Sequence, residues 1–254
     1  MNGFTPFLKK EVFELYRRGR LLLFGILFVF FAILSPATAK LMPQLLKMAS
    51  LEEQGIIIGD VTVTASNSWE QFFGNLSTIL IVFVIVFAGS VTKEFSGGTA
   101  IPLLTKGLSR PAFILSKLTA AVGVWSAGFW LCFGICYGYT GYYWDNSAVN
   151  DLFASTALWW LFSVMVICVM YLFSSFARTT TQVLLGTGAS VLIPYLISMA
   201  KPAKKFLPTS LASGISFCSG EVSISECAPA IAITAAIAVA SVVLSAVLIK
   251  KRKI

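Results

Sequence analysis

The residue types that most often do chemistry are scarce or badly placed in this sequence of 254 residues. Histidine is absent, which excludes Ser-His and Cys-His nucleophile pairs, histidine metal sites and histidine proton shuttles. A phosphate-binding loop of the form G-x-x-x-x-G-K-[ST] does not occur. Asp145 and Asp151 fall between apolar stretches, whereas intramembrane aspartyl proteolysis needs two buried aspartates. We therefore expect that the chain is not an enzyme and holds no metal or cofactor of its own.

The composition is that of a membrane protein. Hydrophobic residues make up 57% of the chain and charged residues 12%, against roughly 25% charged residues in an average soluble domain. Six stretches lack Asp, Glu, Lys and Arg and are long enough to cross a bilayer core of about 30 Å as helices. The alternation typical of membrane β-strands is absent. The charge-free stretches are 21–39, 71–92, 118–144, 152–177, 179–200 and 227–249. The spans predicted from them are 21–41, 69–92, 111–140, 152–177, 179–200 and 227–249.

The charges predict an orientation. The net charge is +8, and the positive-inside rule places both termini in the cytoplasm. With that orientation, 14 of the 19 Lys and Arg residues lie inside and 8 of the 11 acidic residues lie outside. Ala37-Thr38-Ala39 resembles a signal-peptidase site, but the long N-terminal region with its two glutamates favours retention of the first span. The excess positive charge thus records orientation, and we expect no nucleic-acid partner.

Residues 4–20 predict an amphipathic helix in the cytoplasmic interface. Apolar residues recur there at steps of three and four, and basic residues occupy much of the remaining surface. Phe7, Arg17 and Arg18 represent its two faces. A membrane anchor and a contact with a cytoplasmic partner are both open as its role. The predicted fold class is therefore an all-α membrane protein with six transmembrane helices, both termini cytoplasmic, preceded by an amphipathic interfacial helix in a single transmembrane domain, 1–254.

Two cysteines are predicted to lie on the outer side of the membrane. Cys218 and Cys227 fall in or at the edge of the outer loop 201–226, so they are able to pair if that compartment is oxidising. Two free thiols are an equally open alternative.

The connection between the second and third spans, residues 93–110, is the most informative segment. Two glycines end the second span, and Thr99 can then cap a short helix over 99–106. Gly107 can end that helix in the left-handed conformation, and Ser109 can cap the third span. The pattern predicts a helical knob of about two turns with apolar surface. A solvated turn with a short interfacial helix is the alternative.

At this loop the chain resembles a permease of the type-2 ATP-binding-cassette (ABC) exporter class. The pattern of that class runs Glu, three residues, Gly-Thr, then Leu-Leu, then Pro-x-Ser-Arg, then Lys at the next helix. The matching residues are Glu94, Gly98, Thr99, Leu103, Leu104, Ser109, Arg110 and Lys117. Gly107 stands where the class often has proline, a departure that a helix end tolerates. The six spans, the cytoplasmic termini and the amphipathic N-terminal helix resemble the class as well.

The resemblance implies the permease subunit of an exporter in a bacterial cytoplasmic (plasma) membrane. It would pair with a second permease copy, identical or related, and dock a cytosolic ABC ATPase that binds ATP and Mg. The segment 99–106 would be the coupling helix seated in that ATPase. The loop residues implied in the contact are Glu94, Gly98, Thr99, Ile101, Leu103, Leu104, Lys106, Ser109 and Arg110.

The sequence gives less information about the cargo of such an exporter. Spans without charged residues favour amphipathic peptides, of the phenol-soluble-modulin kind, or other hydrophobic cargo. A lipid or drug efflux permease and a non-transporting membrane anchor or immunity protein remain alternatives. An ion-coupled transporter is disfavoured, because such proteins usually keep an ionisable residue near the midplane. No cargo-contacting residue is assigned.

Overall fold

A computed structural model describes residues 3–52, 63–99, 101–105, 107–198, 205–220 and 222–252, without the side chains of 45–52 and Leu104. Within these ranges the backbone is mostly helical, and none of it forms a strand. The α-helices of the described chain are α1 Phe4–Arg17, α2 Arg20–Glu52, α3 Ala65–Phe87, α4 Gly89–Ser96, α5 Ile101–Thr105, α6 Arg110–Tyr143, α7 Leu152–Phe176, α8 Thr180–Ser198, α9 Gly214–Cys218 and α10 Ala228–Lys251. Short 3₁₀ turns cover Asn146–Ala148, Pro208–Ala212 and Ile224–Cys227. The protein is therefore all-α.

In the described part of the chain, six helical segments are long and apolar enough to cross a membrane. They are Arg20–Gln44, Ala65–Ser96, Arg110–Tyr143, Leu152–Phe176, Thr180–Ser198 and Ile224–Lys251. Their number agrees with the sequence prediction. The side of the membrane on which the termini lie, and the interfacial position of α1, stay predictions.

The first spanning helix is longer than its predicted span. α2 continues to Glu52, well past residue 41, with Pro36 and Pro43 inside it. The hydroxyls of Ser35 and Thr38, on either side of the first proline, donate to the backbone carbonyls of Phe31 and Leu34. At 1.5 Å per residue its 33 residues extend for about 50 Å, more than a bilayer core of about 30 Å.

Aromatic side chains and a few polar pairs hold the spanning helices together. The buried indole of Trp125 on α6 lies 5.1 Å from the ring of Phe83 on α3, centroid to centroid. Its Nε1–H donates to the hydroxyl of Ser163 on α7 at 2.6 Å. Trp160 on α7 returns a similar bond to Ser126 on α6 at 3.0 Å. Hydrogen bonds of this kind bind neighbouring helices where hydrophobic driving force between them is weak.

At one end of the bundle, the end of α4, the start of α6 and the end of α10 lie near α1. α4 ends there and α6 begins there, with the short α5 between them. α1 packs against α6 and α2 at the same end. The end of α10 reaches it too, since Arg110 at the start of α6 donates to the carbonyl of Lys250. Both ends of the loop 93–110 therefore lie next to other helices of the bundle.

Candidate functional site

The loop 93–110 carries a short helix between two glycine turns. α5 covers Ile101–Thr105 within the predicted 99–106, of which Ala100 and Lys106 lie outside the described residues. Before it, Gly98 has a φ of +69°, and after it Gly107 has a φ of +94°. Backbone in this region suits glycine and strains residues with a side chain. A short helix between two left-handed glycines is therefore present in the predicted segment, with five described residues where about two turns were predicted.

The side chains of α5 divide into an exposed set and a packed one. Ile101 is 41% exposed, and Pro102 and Thr105 are exposed as well. Leu103 is half-buried and packs against the core. The hydroxyl of Thr99 donates to the carbonyl of Glu94 at 3.3 Å, at the end of the preceding helix, whereas the sequence predicted a role for it at the start of α5. The side chain of Leu104 lies outside the described residues.

The end of the loop is capped as the sequence predicted. The Ser109 side chain accepts a hydrogen bond from the backbone N–H of Ala112 at 3.3 Å. Pro111 follows in the first turn of α6, where its missing N–H leaves no unmet donor. The third span therefore begins at a fixed point directly after the loop.

A buried ion cluster joins both ends of the loop to α1. The Nζ of Lys117 on α6 lies 2.6 Å from Oε1 of Glu94 and 2.8 Å from Oε2 of Glu11. Only 3% of the Lys117 side chain is exposed, with 14% of Glu94 and 7% of Glu11. A buried ion pair whose partner is removed leaves an uncompensated charge and is strongly destabilised. The cluster therefore holds α1, the end of α4 and the first turns of α6 in one arrangement.

A half-exposed set of charges on α1 extends this cluster. Glu14 forms ion pairs with Lys10, one turn before it, and with Arg18 at 2.6 Å. Burial works against the charge of Glu14, but the hydrogen bond and the charge of Lys10 outweigh it and hold the pKa of Glu14 below its ordinary value. The pKa of Lys10 is correspondingly raised, because its bonding to Glu14 and the charge of Glu11 outweigh its burial. These groups are charged at neutral pH.

The same carboxylates could be mistaken for a metal site. Ligand oxygens of Glu11, Glu14 and Glu94 all lie within 4.8 Å of one another. However, the ammonium of Lys117 already lies between two of the three. An adjoining cavity of about 40 Å³ has room for about one water molecule. The arrangement is that of a lysine-centred ion cluster, and we assign no metal to it.

Arginines tie the loop to the C-terminal helix. Arg110 donates to the carbonyls of Lys250 and Arg252 at the end of α10. Arg252 in turn donates to the carbonyls of Ser174 and Ala177 at the end of α7, at 2.7 and 2.8 Å. Helix C-termini present unpaired carbonyls and partial negative charge, which arginine satisfies on both counts. The start of α6 is thereby joined to the ends of α7 and α10.

An aromatic contact completes this connection. The guanidinium of Arg252 lies 4.3 Å from the ring centroid of Phe95, just after Glu94. The Phe95 ring meets Phe113 of α6 edge to face, with centroids 5.6 Å apart. A cation over an aromatic face is attracted by the ring's electron density. Both ends of the loop 93–110 are thus attached to the bundle, and α5 projects between them.

The predicted residues of the N-terminal helix differ in exposure, since Phe7 is buried and Arg17 and Arg18 are exposed. Phe7 is buried, with its ring 5.5 Å from that of Phe113. Arg17 is exposed and lies over Phe13, whereas Arg18 pairs with Glu14. α1 therefore packs one face against the bundle at the base of the loop.

Cys218 and Cys227 are both buried. Cys218 ends α9, and Cys227 directly precedes α10. Burial raises the pKa of the Cys218 thiol, against the hydrogen bond to Ser155. Whether Cys218 and Cys227 pair stays a prediction.

Sequence reasoning missed Glu11 and Arg252 as parts of this site. A signal for Glu11 was available, because it lies four residues after Phe7 and four before Leu15 on the buried face of α1. A charge in an apolar stripe needs a buried partner. No local pattern pointed to Arg252, since its contacts come from distant helix ends.

Comparison with known sequences places the chain in a family. The sequence model of a family described as "Protein of unknown function (DUF2705)" matches residues 44–254. The chain belongs to this family. It is also similar to "Uncharacterized transmembrane protein YxlG" of Bacillus subtilis (strain 168), at 21% identity over 217 residues that cover 83% of each chain. The family match includes the loop 93–110, Lys117 and α10, but begins after α1 and Glu11.

Proposed function

We propose that this chain is the membrane-spanning permease subunit of an ABC exporter, and that α5 is the helix through which a cytosolic ATPase acts on it. The proposal rests on the way α5 is attached to the rest of the protein. Its exposed Ile101 lies between the left-handed turns at Gly98 and Gly107, and both ends of the loop are attached to several helices. A force on α5 would therefore reach α1, α4 and α6 together.

The permease assignment also implies an energy source and an orientation in the membrane. The sequence has no phosphate-binding loop, so ATP and Mg would bind in the partner ATPase. The excess of Lys and Arg at the loop end supports a position of that end, with both termini, in the cytoplasm of a bacterial plasma membrane. A second permease copy, identical or related, would complete the path. Amphipathic peptides or other hydrophobic cargo suit spans without charged residues near their centre.

The first experiment identifies the partner. The tagged chain is purified from its host's membranes in mild detergent, and the co-purifying chains are identified by mass spectrometry. We expect a protein with a phosphate-binding loop in stoichiometric amount. A stable complex without any nucleotide-binding chain would contradict the proposal and favour an anchor or immunity role.

The second experiment tests α5 itself. Ile101→Asp places a charge on the exposed apolar side of α5, and we expect loss of the coupled ATPase stimulation in proteoliposomes. Ser225→Asp is the matched control, because it adds the same charge to an exposed position at the opposite end of the bundle. Equal stimulation in wild type and both variants would exclude α5 as the coupling helix.

A further inference from the structure

An open cavity of about 1030 Å³ lies at the opposite end of the bundle from the loop 93–110. It is found where α6 ends and the chain passes through the turn Asn146–Ala148 into α7. Pockets for small ligands occupy roughly 300–1,000 Å³. The space is therefore sufficient for a small molecule or for the head and first part of an amphiphile.

The shape of the cavity follows from residues of α6 and the turn. Gly138 and Gly141 line it, and a Cβ placed on Gly138 would meet no atom within 4 Å. The side chain of Asn146 fixes the turn, since its Nδ2 donates to the carbonyl of Tyr137 at 3.0 Å. Its Oδ1 accepts from the indole N–H of Trp69 at 3.2 Å. The space is thus bordered by hydrogen-bonded walls.

Aromatic rings dominate the lining. They are Phe133, Tyr137, Tyr142, Tyr143, Trp144 and Phe153. The faces of such rings attract cations, and sites built from several rings favour ammonium groups. The chain already shows this chemistry here, because Nζ of Lys40 lies 3.6 Å from the centroid of the Tyr143 ring.

The lining of the cavity also contains an acidic residue, which favours a cationic ligand. Asp145 is a lining residue, and no Lys or Arg is among the described residues that line the cavity. Its carboxylate accepts hydrogen bonds from the hydroxyl and the backbone N–H of Ser147, at 2.6 and 2.9 Å. These bonds hold the pKa of Asp145 below its ordinary value. Asp145 therefore contributes a negative charge beside the rings at neutral pH, while the ammonium of Lys40 already occupies the Tyr143 ring.

We propose that this cavity binds the ammonium group of a cationic amphiphile. The Asp145 carboxylate and the rings of Tyr137 and Tyr142 receive the cation, and Phe133 and Phe153 receive the apolar part. The same chemistry has two sources: a cationic amphiphile that diffuses to the site, or the ammonium headgroup of a phospholipid. The proposal does not depend on the ABC permease assignment.

The test measures binding of benzyltrimethylammonium to the full chain in dodecyl maltoside by equilibrium dialysis. We expect saturable binding, and much weaker binding of benzenesulfonate, an anion of similar size. Asp145→Asn and Tyr142→Leu change exposed side chains and should each weaken binding by about tenfold. Glu226→Gln, which removes an exposed carboxylate outside the cavity, should leave binding unchanged.

A second arm distinguishes the two sources. The chain is reconstituted in nanodiscs of phosphatidylglycerol, with or without phosphatidylcholine. Competition by phosphatidylcholine assigns the cavity to a lipid headgroup, and undiminished binding assigns it to a diffusing amphiphile. Absence of saturable binding, equal binding of benzenesulfonate, or wild-type affinity in Asp145→Asn would each overturn the proposal.

Discussion

The ammonium nitrogen of Lys117 lies 2.6 Å from Oε1 of Glu94, and this bond joins the two ends of the loop 93–110 from inside the protein. Glu94 lies at the end of α4 and Lys117 two turns into α6. The second bond of Lys117, to Glu11, adds α1 to the same arrangement. One buried cation therefore sets the positions of three helices around α5.

Removing that cation should destabilise the protein. Lys117→Met keeps the length of the side chain but leaves Glu94 buried without its positive partner, and leaves Glu11 with the half-exposed Lys10 alone. We expect a loss of about 3–5 kcal/mol in the free energy of unfolding. Chemical denaturation in mixed micelles measures it. The matched control is Lys9→Met at an exposed position of α1, and equal stability of the two variants would contradict the role of the cluster.

The pairing of Glu14 predicts a pH dependence. Its folded-state pKa lies below the ordinary value of 4.5, so its ion pairs stabilise the protein above that pH and are lost as pH falls through the folded-state value. Glu14→Gln should lower stability by about 0.5 kcal/mol at pH 7. The difference from wild type should vanish in acid. Thermal unfolding across pH 3–7 tests this, and a difference that stays constant with pH would count against it.

The turn at Gly107 should reject a side chain. Gly107 has a φ of +94°, and no neighbouring atom lies within 4 Å of the place that a Cβ would take, so any effect of Gly107→Ala comes from the backbone alone. We expect about 1–2 kcal/mol of local destabilisation, seen as faster proteolysis in the loop. Gly123→Ala is the control, because Gly123 is helical and equally uncrowded. It should stabilise slightly, and similar proteolysis of both variants would refute the strained turn.

We expect the planar guanidinium group of Arg252 to stabilise the end of α10. Arg252→Lys keeps the charge but cannot reach the carbonyls of Ser174 and Ala177 in the same forked geometry. We expect about 1–2 kcal/mol less protection of the last turn of α10. Hydrogen exchange of a C-terminal peptide measures this change. Lys251→Ala at the neighbouring exposed position is the control, and equal protection in both variants would show that the forked bonds matter little.

Much of the fold follows from the sequence because membrane spans are read from long apolar stretches alone. The six candidate spans agree in number, but α2 extends to Glu52, since backbone hydrogen bonding does not stop where hydrophobicity does. Gly107 and Ser109 adopt their predicted conformations because both depend on local backbone chemistry.

Contacts between distant segments were harder to foresee. Glu94 and Lys117 were singled out by pattern, but the second partner of Lys117, Glu11, comes from a helix more than a hundred positions earlier. The bonds of Arg252 to the end of α7 depend on how two spanning helices align at one end of the bundle. Such alignment is set by packing over the whole bundle, which no local motif encodes.

α8 has a different character from the other spanning helices. Only Val183 and Thr187 are buried along it, and its large apolar side chains Leu185, Leu192, Ile193, Tyr195 and Leu196 are mostly exposed. At one end, Thr180 bonds to Thr92 of α4 at 3.2 Å. Local opening begins where few contacts must be broken. On heating, we therefore expect α8 to separate from the bundle first. The helices packed around Trp125 should stay assembled at that stage.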